Sequence, residues 1–138
     1  MPMSDAVAFL SDMSAAAFGM DEQWLQIGIA ERSTGRLIGD IGVCLHRDET
    51  RYAEIGFTLA AGYQGQGFAS EAVREALGLL FEQTDIARVV AITDTRNHAS
   101  ARLLQRVGMT LAETVSADFR GEPCEEYVFV LSRQEFEG

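Results

Sequence analysis

A change of apolar period in the middle of the chain restricts the fold more than any other feature. Over residues 52–60 apolar side chains alternate, with Ala53, Ile55, Phe57 and Leu59 on one face and Tyr52, Glu54, Gly56 and Thr58 on the other. From Ala69 the spacing becomes three and four, as Ala69, Ala72, Val73, Ala76, Leu77, Leu80 and Phe81 form a single stripe. Residues 87–93, "ARVVAIT", are then a short and nearly continuous apolar run. Alternation marks a half-buried strand, the three-and-four spacing an amphipathic helix, and the short continuous run a strand covered on both faces. Two strands joined through a helix form a right-handed crossover, so the strands at 52–60 and 87–93 are expected to be parallel.

The remaining segments extend this into a mixed sheet. Residues 4–18 carry Val7, Leu10, Ala15 and Phe18 after a capping Ser4 or Asp5, which predicts a helix. Residues 24–31 and 37–45 alternate on either side of "RSTGR" and predict an antiparallel hairpin. Asn97 opens and Gly108 stops a second helix, in which Ala101, Leu104 and Val107 recur. Alternating strands at 109–117 and 125–132 close the chain around the turn "RGEP". The expected class is α/β in the broad sense, an α+β mixed sheet that is mostly antiparallel, with one parallel pair and flanking helices. With no repeat, linker or low-complexity stretch, residues 1–138 are read as one domain, 1–23 a helical N-terminal region and 24–138 the core.

Charge and composition exclude several function classes. Twenty-one acidic residues against 11 basic ones give a net charge of −10, which repels a phosphate backbone and sets nucleic acid aside. The acids Asp118, Glu122, Glu125, Glu126, Glu135 and Glu137 gather near the C-terminus, either as a solvated face or as a surface for a cationic partner. Cys44 and Cys124 lack CxxC spacing and have only His46 and His98 for company, so no metal site is expected. No leader pattern and no run of about eighteen apolar residues is present, which points to the cytoplasm and away from a membrane.

Between the 52–60 strand and the helix that follows lies "YQGQGFASEA", with glycines at 65 and 67. The first amides of a helix lack partners, and the helix dipole places partial positive charge there. Glycines let the main chain approach a ligand closely and adopt unusual dihedrals. An anion is the ligand such a corner suits, a phosphate or pyrophosphate, with Ser70 adding a hydroxyl. The pattern is neither GxxxxGK[ST] nor GxGxxG, since Ser70 stands three residues after Gly67, so another phosphate-bearing ligand is required.

"QGQGFA", residues 64–69, resembles the Gln/Arg-x-x-Gly-x-Gly/Ala signature of the GNAT N-acetyltransferase family, which holds the pyrophosphate of acetyl-CoA at this turn. "AEIGFTLAAGYQGQGFASEAV", "NHASARLLQRVGM" and "EEYVFVLS" are similar, in that order, to the subgroup of the ribosomal-protein acetyltransferases RimJ and RimL, over about residues 22–134. The resemblance implies the acyl-CoA N-acyltransferase fold, with the parallel strands splayed into a slot for the thioester. It implies that Phe57, Thr58 and Leu59 pair with the pantetheine arm, and that Gln64, Gly65, Gln66, Gly67, Phe68, Ala69 and Ser70 wrap the pyrophosphate. A strand-end amide near 57–59 would stabilise the oxyanion, and Gly56 beside it is either a bulge or a small residue against a neighbouring chain.

By the same resemblance Asn97 contacts the cofactor arm, caps its helix, or does both. Many members carry a tyrosine as general acid where this chain has Leu104, which moves the role toward the coenzyme sulfur to Ser100; its alternative is a small packing residue. Arg106 would reach the nucleotide 3′-phosphate or stand in solvent. The acceptor amine must lose a proton, and Glu54 is the expected base, directly or through water, or else a structural carboxylate. His46 and His98 are weaker candidates.

Members of the family begin with a strand and a helix for which residues 1–23 leave too little chain, so the expectation is a chain short of that segment and of one wall of the acceptor site. An edge so exposed would favour a homodimer. The expected function is transfer of acetyl from acetyl-CoA to a primary amine, a protein N-terminal α-amine or a small molecule. The alternative is a CoA-binding or partner-binding module that has lost its acceptor site.

Overall fold

The computed structural model of this chain describes residues 24–31, 34–46, 51–59, 67–119 and 121–137. The helix expected at 4–18 and the loop residues Gln64, Gly65 and Gln66 lie outside the described residues, as do the side chains of Leu59 and Phe68. The elements run β1 (Trp24–Ala30), β2 (Leu37–His46), β3 (Tyr52–Leu59), α1 (Phe68–Gln83), β4 (Arg88–Asp94), α2 (His98–Arg106), β5 (Thr110–Phe119), β6 (Glu122–Ser132) and α3 (Arg133–Glu137). One six-stranded sheet has the order β1-β2-β3-β4-β6-β5. Every neighbouring pair is antiparallel except β3 and β4, which are parallel as the crossover requires.

The stripe that predicts α1 is the face it buries. Ala72, Val73, Ala76, Leu77, Leu80 and Phe81 are buried in one cluster with Ile41 and Val43 of β2, Ala53 and Ile55 of β3 and Val89 and Ala91 of β4. These strand positions alternate, so a single sheet face receives the helix. Burying each large aliphatic side chain contributes about 1.5–3 kcal/mol before conformational entropy is set against it. α2 adds Leu103 and Leu104 to the same core and ends as expected, with Gly108 at φ 102° and Met109 N–H donating to Leu104 O at 3.0 Å.

Three details depart from the expectations. The β2–β3 register runs unbroken from Gly39↔Leu59 to His46↔Tyr52, so Gly56 is not a bulge, and a Cβ there would meet nothing within 4 Å. The closing hairpin is tighter than "RGEP" suggests: β6 starts at Glu122 and includes Pro123, opposite Asp118. Proline is tolerated because β4 pairs with β6 only from Glu126 onward, so this stretch of β6 is an edge. Finally, α3 follows β6 without a break. Ser132 and Glu135 form a reciprocal cap, Glu135 N–H donating to Ser132 Oγ at 3.0 Å and Ser132 N–H to Glu135 Oε1 at 3.0 Å.

Candidate active site

β3 and β4 are hydrogen-bonded over only four residue pairs, from Tyr52↔Arg88 to Ile55↔Ala91. Beyond them β3 continues to Leu59 along β2, while β4 continues to Asp94 along β6. Outer edges stay paired and inner edges part. The main chain of residues 56–59 therefore faces that of 92–94 across an open slot, with no strand between them among the described residues.

A cleft of ≈ 360 Å³ opens there. Phe57 and Thr58 line it from β3, Gly67, Ala69 and Ser70 from the start of α1, and Asn97, Ala99, Ser100, Arg102, Leu103 and Arg106 from α2. Gly67 has φ 84° and caps α1 with no side-chain hydrogen bond, which leaves first-turn amides to a ligand. Ser70 is only 3% exposed, and its Oγ accepts from Arg106 Nη1 at 3.2 Å. Arg74 Nη2 in turn donates to Arg106 O at 3.1 Å, so side chains from each helix tie the start of α1 to the end of α2. Asn97 Oδ1 accepts from Ser100 N–H at 3.1 Å and fixes the first turn of α2.

Two arginines and no carboxylate line this cleft among the described residues, although the chain as a whole carries −10. With the amino end of α1 beside them, the local field is positive where the protein is otherwise negative. That arrangement suits an anion with several charges.

Most of the residues expected from sequence come together here: Phe57, Thr58, Gly67, Ala69, Ser70, Asn97, Ser100 and Arg106. Leu104 is completely buried in the core, which explains why no polar group stands at that position. Glu54 does not line the cleft. It is half-buried on the other sheet face, opposite Cys44 of β2 and Val90 of β4. Burial pushes its carboxyl above the usual range, with His46 opposing the rise and Glu126 adding to it. His46 stacks on Tyr52 at 4.5 Å, and Arg88 covers the same Tyr52 ring at 5.1 Å. His98 is exposed at the start of α2.

Ala99, Arg102 and Leu103 are cleft residues that sequence reasoning missed. Helical spacing carried the signal, since counting three from Ser100 and four from Arg106 reaches Leu103 and Arg102. Between β4 and α2, Arg96 grips Asp94 through its main-chain N–H at 2.8 Å, Nε at 2.9 Å and Nη2 at 2.8 Å, which lowers the Asp94 carboxyl to about 2. No group of His, Cys, Asp or Glu among the described residues could hold a metal ion, and none of their helices is long and apolar enough to cross a membrane.

A family model described as "Acetyltransferase (GNAT) domain" matches residues 1–110. The uncharacterised N-acetyltransferase YoaA of Bacillus subtilis is 34% identical over 93 residues, 67% of this chain and 52% of YoaA. The structure of the ribosomal-protein-S5-alanine acetyltransferase from Vibrio fischeri superimposes with TM-score 0.74 at 18% identity, covering 83% of this chain and 64% of that one. RimJ of Mycobacterium smegmatis in complex with CoA-disulfide gives TM-score 0.75 at 21% identity, covering 82% and 55%. The chain thus spans about half to two thirds of the length of these proteins.

Proposed function

This chain belongs to the GNAT acetyltransferase family, and from that premise we propose that it transfers the acetyl group of acetyl-CoA to a primary amine by direct attack in a ternary complex. The carrying observation is the slot between residues 56–59 and 92–94, which meets a cleft lined by arginines and by the uncapped end of α1. These residues fit the coenzyme: main-chain edges suit an arm of amides, and the positive corner suits its phosphates. The neighbouring RimJ structure with CoA-disulfide supports the same reading. On the proposed reading, Phe57, Thr58 and Leu59 flank the arm, Asn97 supports it, the residues from Gln64 to Ser70 take the pyrophosphate, and Arg106 takes a further phosphate. The acceptor is a protein N-terminal α-amine or a small-molecule amine. Residues 1–138 act as one domain.

Acetyl-CoA supplies an activated acetyl group, and the chain supplies proton handling and polarity. At neutral pH an α-amine, with pKa about 8, is mostly protonated and a lysine-type amine, near ~10.4, almost wholly so. Glu54 takes that proton through water, because it stands outside the cleft, and its raised proton affinity suits the task. Amides on the inner edge of β3 hold the carbonyl oxygen as it gains charge. Ser100 offers its hydroxyl to the departing sulfur from the first turn of α2.

Calorimetry with acetyl-CoA, followed by acetylation of a panel of amines, tests the proposal. Binding heat and amine-dependent release of CoA are expected, and a folded protein that shows neither defeats it. The position of Glu54 favours a second reading, a CoA-binding module without acceptor chemistry, under which heat persists while no amine is acetylated at any pH.

A further inference from the structure

Ser70, in the first turn of α1, is 3% exposed and yet lines the cleft. Glu71 N–H donates to Gly67 O at 3.0 Å, so the amides of residues 68–70 precede the first bond of the helix. The Ser70 hydroxyl has a direction of its own. Its Oγ accepts from Arg106 Nη1 at 3.2 Å, and a guanidinium only donates, so the hydroxyl keeps its proton for another partner. Among the described residues none accepts that proton. A buried donor without an acceptor is costly, and beside those amides the acceptor it fits is an anion.

Arg106 is fixed at both ends. Its head lies on Ser70, and its main-chain O accepts from Arg74 Nη2 at 3.1 Å, one turn further along α1. Since Arg106 belongs to the last turn of α2, its side chain crosses from the end of one helix to the start of the other. With Nη1 on Ser70, Nε and Nη2 remain for the cleft, where no carboxylate among the described residues competes for them.

Building on the acetyltransferase reading, we infer that Ser70 is a positioning residue that joins Arg106 to the amino end of α1 as one receptor for two phosphate positions. The Ser70 proton and the α1 amides serve the pyrophosphate, and the free edge of Arg106 serves the 3′-phosphate of the nucleotide. The two are coupled, because a guanidinium anchored at the first position cannot swing away from the second. A carrier with both groups is thereby selected over one with the pyrophosphate alone.

Calorimetry of the full chain with CoA and with dephospho-CoA, which lacks only the 3′-phosphate, tests the coupling. CoA should bind about tenfold more tightly. Ser70→Ala should weaken both ligands and cut that preference to about threefold or less, because Arg106 is no longer held. Ser70→Thr keeps the hydroxyl and should restore it. Arg106→Lys keeps the charge but lacks the planar fork, so it should lose the preference and also weaken dephospho-CoA about two- to threefold, through the hydroxyl it no longer orients. A Ser70 that merely packs α1 weakens both ligands alike, and a preference unchanged in Ser70→Ala overturns the inference. So does an unaltered chain that binds CoA and dephospho-CoA equally. If Ser70→Ala does not fold, Arg106→Lys decides: dephospho-CoA held as tightly as by the unaltered chain overturns the inference. In each of those outcomes the unaltered chain still gives heat with acetyl-CoA and amine-dependent release of CoA, whereas absence of both defeats the acetyltransferase reading itself.

Discussion

Gly67 combines two properties at one position: a left-handed backbone and the absence of a side chain at the start of α1. Space is not the constraint, since a Cβ would meet nothing within 4 Å. Gly67→Ala is therefore expected to cost about 1–2 kcal/mol through its φ alone, read from chemical denaturation, with weaker CoA binding as the α1 amides shift. Glu54 behaves oppositely in stability and in function. Burial raises its folded pKa above 4.5, so the charged form is penalised in the folded state. This destabilisation is felt above the folded pKa and vanishes as pH falls below the unfolded value. Glu54→Gln should melt higher than the unaltered chain at about pH 8 and converge with it near about pH 4, while kcat/KM falls about 10²-fold. At this scale the sequence disclosed the residues whose type is unusual for their place, such as Gly67 and Asn97. Arg102 and the bond that Thr58 Oγ1 donates to Asp40 Oδ1 stayed hidden, because an arginine on a helix looks like solvent-facing charge and a cross-strand bond depends on register.

Among the elements, α3 is held by far more than its own five residues. Arg133 donates to Phe81 O at 2.6 Å, Thr84 O at 2.7 Å and Ile86 O at 3.0 Å, closing the last carbonyls of α1 and the turn into β4. Its guanidinium also lies over the Phe81 ring at 5.3 Å, and Phe136 stacks on that ring at 4.9 Å. Arg133→Met should therefore lower stability by about 2–3 kcal/mol, seen as a drop of several degrees in Tm with little change in CoA affinity. The turn into α2 depends on charge: the Asp94 carboxyl, at about 2, contributes stability that is present above its unfolded pKa and lost as pH falls through the folded one. Strands and helices with strong periods were legible, down to the Asn97 and Gly108 ends of α2. α3 was not read from the sequence: the Ser132-x-x-Glu135 pattern marks its start, but a helix so short has too little period to stand out beside a long strand. The limits of the β5–β6 hairpin were not legible, because Pro123 suggests a turn wherever its edge position is unknown.

For the whole molecule the decisive contrast is a positive cleft in a protein of charge −10. Raising salt from about 0.05 M to about 0.5 M should weaken CoA binding several-fold, while acetyl-pantetheine, which lacks the phosphates, should bind with almost no salt dependence. Equal slopes for the two ligands would place the phosphates elsewhere. The parallel pairing of β3 and β4 followed from the sequence, since a crossover permits little else. The point where the ladder stops did not, because the type of side chain in residues 56–59 and 92–94 forbids no pairing; the divergence is imposed by β2 on one side and β6 on the other. That divergence gives the molecule a built-in reporter. Among the described residues the ladder offers the amides on the parted edges no acceptor across the gap, so a ligand lying between them should slow their deuterium uptake while leaving the paired stretch from Tyr52 to Ile55 unaltered, turning occupancy into a local pattern of isotope exchange.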